Sequence, residues 1–433
     1  MKLSFYNYEE NNGESYILYN CRTDELLFLN ESLKKIWIEN STKQLDRIGE
    51  IYPDFFQYLR DKGFIVDDSV DEQAEFLSTL QKEDTNEDYF SIIVNPTLDC
   101  NMRCWYCYEK HLSDSYMNND IMERVLNLAK KKISNPKLKT FAISFFGGEP
   151  LLSFEDCVFP LLQEVDRLCT CEKKQLVVSF TSNAFLLSDD MVCKLKSLRL
   201  ARPVDWQITI DGGRALHNKT RHTIDKQDTY DIIVNNILRL LAAGMSVMVR
   251  FNYQSKSVLS FLDVIDSFRD YAKIYEDKLV FCFQQIWQDV VRCENAQIHD
   301  ETLNNVKKSF KEAGLRVAGN IESPTRCYAD NTNSIVINYD GNIFKCTAMD
   351  FKERNREGVL DTEGNVHYNV KFHDRMKARY ANKTCLSCII YPLCYGGCSQ
   401  KLLHNSDKCS RNLNKEGITE FIRQRILLLA GYK

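Results

Sequence analysis

"DCNMRCWYC", residues 99–107, is the stretch on which the reading of this sequence turns. It places Cys100, Cys104 and Cys107 in a C-x3-C-x2-C pattern. Thiolates suit zinc and iron–sulfur clusters. A structural zinc wants four protein ligands, usually as two pairs, which one triplet cannot supply. A 4Fe–4S cube takes one cysteine per iron, so three cysteines leave one iron open to a non-protein ligand.

The surroundings of this loop predict its place in a fold. It follows the first of six strand candidates, at 91–96, 140–146, 175–181, 204–210, 245–252 and 278–287. Helical patterns fall near 118–133, 152–168, 188–198, 229–243, 257–271 and 300–314. Six β/α units in a row predict an α/β fold with a parallel sheet, curled or doubly wound. In a barrel of this kind the active site lies at the C-terminal strand ends. The informative residues follow the strands directly: the cysteine loop after the first, "GGEP" after the second, "SN" after the third and "DG" after the fourth.

With these residues in view, the sequence over 90–322 resembles the radical S-adenosylmethionine (SAM) enzymes, whose signature is C-x3-C-x-aromatic-C. Tyr106 fills the aromatic slot, and "FFGGEP" matches the family's glycine–glycine–glutamate element. The resemblance implies a partial (β/α)6 TIM-type barrel and a cluster at Cys100, Cys104 and Cys107 whose open iron holds SAM. It implies reductive cleavage of SAM to a 5′-deoxyadenosyl radical that removes hydrogen from a substrate. It also implies SAM contacts from Tyr106, Gly147, Gly148, Glu149 and Pro150, with the glycine backbone letting SAM approach and polar groups taking its amino group. Thr209, in "TIDG" where Ser is usual, and Arg221, twelve residues on, match further contacts, the arginine to the SAM carboxylate. Ser182, Asn183 and Asn252 are weaker matches. Ser182 or Asn183 equally suits a helix cap.

Seven more cysteines lie between 327 and 409: Cys327, Cys346, Cys385, Cys388, Cys394, Cys398 and Cys409. Spacing alone would also support two zinc ribbons. Behind a radical SAM domain the order resembles the SPASM domain, with a shorter last interval than is common. That resemblance implies two auxiliary 4Fe–4S clusters, for three in all. Cys385, Cys388, Cys394 and Cys409 would hold one, and Cys327, Cys346 and Cys398 the other. The second set has an open iron or an eighth ligand, for which Cys282 and Cys293 are candidates. Most of the remaining cysteines read as small buried hydrophobes.

Residues 1–68 read as a small α+β unit. "SYILYN" and "ELLFLN" flank a turn, Asn30 caps a helix, and Gly63 stops another. The pattern resembles the PqqD-type, winged-helix-like element of ribosomal peptide maturases, which binds a leader peptide by strand addition. Residues 69–89 read as an acidic linker or exposed acidic helix, with nine acidic residues and one Lys from Asp67 to Asp88. A cysteine-rich iron–sulfur domain is expected over 323–412 and a terminal helix over 413–433.

The net charge of −4 gives no sign of a nucleic-acid partner. No signal peptide and no membrane span are visible, and a cytoplasmic place is expected. Seventeen cysteines in a long chain of this kind favour metal ligation over disulfides.

Together these readings predict a radical SAM peptide maturase. Its partners would be a ribosomal precursor peptide and an electron donor such as flavodoxin or ferredoxin. Its product would be a thioether or carbon–carbon crosslink. A formylglycine-forming, sulfatase-type maturase and a peptide epimerase are the alternatives. The first expects an aspartate where this chain has Thr347. No general base is assignable, with Asp330 and Asp350 the nearest candidates. A zinc-stabilised peptide binder or an electron-transfer protein is the non-enzymatic alternative.

Overall fold

The computed structural model describes residues 1–11, 13, 15–42, 44–286, 296–318, 326–404 and 407–431, without the side chains of 296–300. Two compact units result: 1–85 with 321–332 and 373–433, and 86–320 with 333–372.

The first unit opens with β1 (Lys2–Leu3), β2 (Asn7–Asn11), β3 (Tyr16–Asn20) and β4 (Glu25–Leu29). β2, β3 and β4 form an antiparallel sheet, and β1 pairs with the later β5 (Ile65–Val66). Helices α1 (Glu31–Asn40), α2 (Leu45–Ile51) and α3 (Pro53–Asp61) come between. Asn30 caps α1 by accepting the Leu33 N–H. Gly63, just past α3, takes φ +78°, which glycine adopts without a Cβ penalty. Leu18, Trp37, Leu59 and Phe64 form the core of this part.

The acidic stretch is not a linker throughout. Residues Glu72–Asp84 form α4, capped by Asp71. Phe76 and Leu80 recur at helical spacing and are buried against Cys385 and Tyr391 of the same unit. Charge density hid a narrow apolar stripe.

The second unit carries the expected parallel strands: β6 (Tyr89–Asn95), β7 (Thr140–Phe145), β8 (Gln175–Ser182), β9 (Asp205–Ile210), β10 (Ser246–Tyr253) and β11 (Leu279–Gln285). They pair in chain order, each parallel to the next. The connecting helices are α5 (Asn119–Ile133), α6 (Phe159–Cys171), α7 (Asp189–Lys196), α8 (Arg214–Thr220), α9 (Tyr230–Ala242) and α10 (Leu262–Phe268), with α11 (Ala296–Glu312) after β11. Two helical expectations are revised. α6 is preceded by a 3-10 turn at Pro150–Ser153 and a π turn at Phe154–Val158, and α10 is flanked by 3-10 turns.

Alternation sorts the strand residues. Phe90, Ile92, Phe141, Ile143, Leu176, Val178, Trp206, Ile208, Val249 and Phe251 belong to the large apolar core with the helices. The opposite, concave face is largely polar. There the Ser144 and Ser179 hydroxyls meet at 2.5 Å, and Asn252 and Arg250 share one strand face.

The sheet runs further than the six units. β12 (Ser334–Asn338) pairs parallel with β6, and β13 (Asn342–Phe344), β14 (Gly358–Leu360) and β15 (Val366–Tyr368) continue it antiparallel. The segment expected to lie wholly in a cysteine-rich domain is thereby divided. Residues 333–372 belong to the second unit with the parallel strands, and 373–433 to the first unit. The latter holds α13 (Lys383–Leu386), α14 (Tyr391–Cys394), α15 (Ser399–His404) and α16 (Lys415–Leu429), after α12 (Val370–Ala381). Among the described residues no helix is long and apolar enough to cross a membrane.

Candidate active site

The cysteine loop leaves the C-terminal end of β6, and three other segments fix its shape. The first is the GGEP loop after β7. Its Gly148 N–H donates to the Thr97 carbonyl at 3.1 Å, and its Glu149 N–H to the Asp99 carbonyl at 2.8 Å. A Cβ on Gly147 would lie 2.4 Å from the Thr97 oxygen, and one on Gly148 2.0 Å from the Asp99 oxygen. Gly147 also has φ +109°. Both glycines are thus explained by backbone packed on backbone, a cause additional to the approach of SAM.

The second segment is the end of β8. The Ser182 hydroxyl donates to Glu149 Oε1 at 2.7 Å, and the Asn183 N–H to Oε2 at 2.7 Å. Leu151 N–H adds a third donor to Oε1 at 3.0 Å. Glu149 is fully buried. Burial pushes its carboxyl pKa up, and these donors pull the other way. The expected SAM contact is therefore a carboxylate already shared by three protein donors, tying β7 to β8. Pro150 opens the 3-10 turn that Glu149 caps, where its missing N–H costs nothing. Ser182 and Asn183 cap no helix, since Ser188 caps α7. The Asn183 amide instead reaches Asn101 Oδ1 at 2.8 Å and Cys100 Sγ at 3.8 Å.

The third segment is the connector after α8. Arg103 N–H donates to the His222 carbonyl at 3.1 Å, and Ile224 N–H to that of Asn101 at 3.2 Å. This short antiparallel bridge holds Arg221 beside the cysteines. Tyr106 is the hub: its hydroxyl donates to Asp211 Oδ2 at 2.6 Å and accepts from Arg221 Nη1 at 2.8 Å and Asn252 Nδ2 at 3.2 Å. Arg221 and Asp211 lie 3.9 Å apart and are both buried. Burial pushes the Asp211 carboxyl up to about 6, against the pull of Arg221 and of the Tyr106 hydroxyl. Burial opposes the Arg221 cation, but Cys104, Tyr106 and Asp211 hold its pKa above the ordinary value. Thr209 is buried on β9, level with Arg250 of β10.

Sequence reasoning missed two of these groups. Asp211 was visible only as part of "TIDG". His217 was visible only inside "HNKTR". His217 is fully buried and accepts the Asp211 N–H through Nδ1 at 3.3 Å. Its carbonyl accepts the Arg221 N–H at 2.7 Å. His217 thus meets both members of the ion pair, Asp211 through its ring and Arg221 through its backbone carbonyl, while its Nε2 lies 3.1 Å from the Thr229 hydroxyl.

The donor set fits a cluster and SAM. Burial, helped by the charge of Cys104, pushes the Cys100 thiol up to about 12 and Cys107 up to about 11. Three such thiolates want a compensating cation. Arg221 Nε is buried and without a partner, which suits a further anionic group such as a carboxylate. Among the described residues no three Cys, His, Asp or Glu side chains converge closely enough to hold a single metal ion. Cys385, Cys388, Cys394 and Cys409 all belong to the first unit. There Cys385 feels the charges of Cys394, Cys388 and Cys409, while Cys398 is exposed. Cys327 and Cys398 belong to the first unit, Cys346 and the half-buried Cys282 to the second. Cys293 lies outside the described residues. Asp330 and Asp350 are held as ion-pair partners: Asp330 by Arg379 at 3.6 Å, and Asp350 by Lys352 at 3.0 Å and Arg354 at 2.5 Å.

Comparison with known proteins agrees with this geometry. Residues 94–253 match the model of the Radical SAM superfamily. A cysteine-type anaerobic sulfatase-maturating enzyme of Clostridium perfringens (strain 13 / Type A) is 22% identical over 338 residues, 71% of this chain and 88% of its own. A solved structure described as native anSMEcpe with bound AdoMet and Cp18Cys peptide superposes with TM-score 0.58 at 17% identity, over 79% of this chain and 99% of that one. Streptococcus suis SuiB bound to precursor peptide SuiA superposes with TM-score 0.53 at 15% identity, over 96% of this chain and 99% of that one. The chain has an α/β radical SAM fold and is a radical SAM enzyme, and that chemistry implies SAM and a 4Fe–4S cluster.

Proposed function

We propose that this enzyme modifies a ribosomally made precursor peptide, closing a thioether or carbon–carbon crosslink. The observation that carries the reading is the Tyr106–Arg221–Asp211 hub beside Cys100, Cys104 and Cys107, on a fold shared with relatives whose descriptions name peptide ligands. When bound, the cluster and SAM supply a radical able to take hydrogen from an unactivated carbon. The three cysteines hold that cluster. Arg221 offers its unpartnered Nε to the SAM carboxylate, and Tyr106, Thr209, Asn183 and Asn252 line the approach. Glu149 positions the loop rather than receiving a proton. The polar concave face admits a peptide while the helix-facing core stays dry.

In this reading Cys385, Cys388, Cys394 and Cys409 bind one auxiliary cluster, and Cys327, Cys346 and Cys398 another, as in a SPASM domain. The charges that Cys385, Cys388 and Cys394 feel from one another and from Cys409 support it. The β2–β4 sheet with α1–α3 serves as the leader-binding element, and flavodoxin or ferredoxin supplies electrons. Coverage of nearly all of SuiB's length supports a whole-chain likeness. A sulfatase-type reading is favoured by the Clostridium relative. Against it, Thr347 stands where that chemistry wants an aspartate, and its carbonyl accepts the Tyr108 hydroxyl at 2.5 Å.

The test is anaerobic incubation of the reconstituted enzyme with SAM, reductant and the small peptide encoded beside it. A loss of about 2 Da marks a crosslink. An unchanged mass with solvent deuterium uptake marks epimerisation and refutes the crosslink.

A further inference from the structure

Arg250 stands on the concave face of β10, because its neighbours Val249 and Phe251 point into the helix-side core. Register places it level with Thr209 of β9 and Cys282 of β11. It lies two residues, about 7 Å, below Asn252, whose amide touches the Tyr106 hydroxyl. The guanidinium has five N–H donors. Among the described residues it makes one hydrogen bond, Nε to Asn252 Oδ1 at 2.9 Å, and no ion pair. Asp211, the nearest acidic group on this face, already serves Tyr106 and Arg221. The outer fork of this half-buried guanidinium is therefore open to an anion that reaches this face of the sheet.

We propose that Arg250 is a carboxylate-binding subsite that orients the substrate by an Asp or Glu side chain close to the reacting residue. The inference rests on the reading of the chain as a peptide-modifying enzyme. Three features favour a peptide carboxylate. The fork matches a planar carboxylate bidentately. Asn252 fixes one edge of the guanidinium and so orients the other. The flanking side chains on this face, Gln207, Met248 and Gln284, are neutral, and the one carboxylate that feels Arg250, Asp211, is already bonded to Tyr106 and paired with Arg221. The SAM carboxylate is already allotted to Arg221, on the far side of Tyr106.

The test presents the reconstituted holoenzyme with the precursor peptide encoded beside it and a library of that peptide, its leader kept and its core randomised, and sequences those that change mass. The wild type is expected to enrich Asp or Glu at a fixed offset from the modified residue. Arg250→Lys should keep the preference at lower rate, Arg250→Gln should abolish it, and Arg250→Glu should turn it toward Lys or Arg. An enrichment that survives Arg250→Gln overturns the proposal, as does modification without acidic enrichment by the wild type. Loss of SAM binding by Arg250→Gln in equilibrium dialysis also overturns it, by assigning the residue to the cofactor. If the wild type modifies no peptide, the peptide-modifying reading fails first and this subsite with it.

Discussion

Gly148→Ala separates two explanations of the GGEP loop: room for SAM, or contact with the cysteine loop. A Cβ at Gly148 would sit 2.0 Å from the Asp99 carbonyl oxygen and 2.5 Å from its carbonyl carbon. Both atoms are backbone, so no rotamer relieves the overlap. Cβ atoms do not come within 3.0 Å of other heavy atoms, so the two loops must part by about 1 Å. Overpacking of this kind costs about 1–3 kcal/mol. The Glu149 N–H bond to the same Asp99 oxygen stretches as well, at about 1 kcal/mol. A total of about 2–4 kcal/mol follows. Displacing one wall of the site by this distance costs roughly 100-fold in rate. The assays are urea denaturation, iron content after anaerobic reconstitution, and 5′-deoxyadenosine formation with dithionite. Gly49→Ala is the control. The three atoms nearest its Cβ belong to the Phe56 side chain, the closest at 3.2 Å, and alanine is the better helix former by about 1 kcal/mol. Wild-type stability and SAM cleavage in Gly148→Ala would show that the backbone contact does not require glycine. The cofactor's approach would then have to explain it.

Replacing Cys100, Cys104 and Cys107 together by alanine should abolish SAM cleavage and remove about four of roughly twelve irons, measured by product chromatography and iron assay; intact cleavage refutes the catalytic reading. Tyr106→Phe and Asp211→Asn should couple by about 0.5–3 kcal/mol in a double-mutant cycle, since their 2.6 Å hydrogen bond lies in one network; simple additivity would disprove the hub. His217 is held neutral, burial pushing its pKa well below the ordinary histidine value, so the unfolded chain binds the extra proton. Stability should therefore be complete above about pH 6.5 and fall below it by up to about 1.4 kcal/mol per pH unit, a slope that His217→Gln should remove from urea titrations.

The parallel sheet was legible because its strands bury both faces or alternate, and because helical periodicity between them is strong. Each of the six strands lies within two residues of its expected span. Local chemistry at the site was legible where one residue type has few other uses, as with three closely spaced cysteines or adjacent glycines. What sequence could not carry was partnership. Glu149 is typed by the motif, yet its donors come from residues 182 and 183, a strand away. Asp330 and Asp350 were open as bases until their arginine partners were known. The α4 stripe was masked by its charges, because two buried residues suffice for a short helix on a surface. The membership of residues 333–372 in the barrel is a long-range pairing of β12 with β6, invisible to any local pattern.

The cysteine loop has little to hold its own shape. Between Asp99 and Cys107 the backbone bonds within the loop come down to Cys107 N–H to the Cys104 carbonyl at 3.0 Å, besides side-chain contacts of Asp99, Cys100 and Arg103. Its geometry is imposed from three directions: the GGEP backbone, the Ser182–Asn183 strand end, and the 222–224 bridge. Each of those is in turn fixed by a group that touches no cysteine sulfur: Glu149 between the first two, and His217 behind Arg221 for the third. A cluster site built this way keeps its ligand motif short while its precision resides in neighbours tens of residues away. Substitutions that alter cofactor behaviour should therefore concentrate at Glu149, His217 and Gly148 as much as near the cysteines. Their signature is a displaced cluster environment with iron retained, whereas loss of a thiolate removes the iron itself.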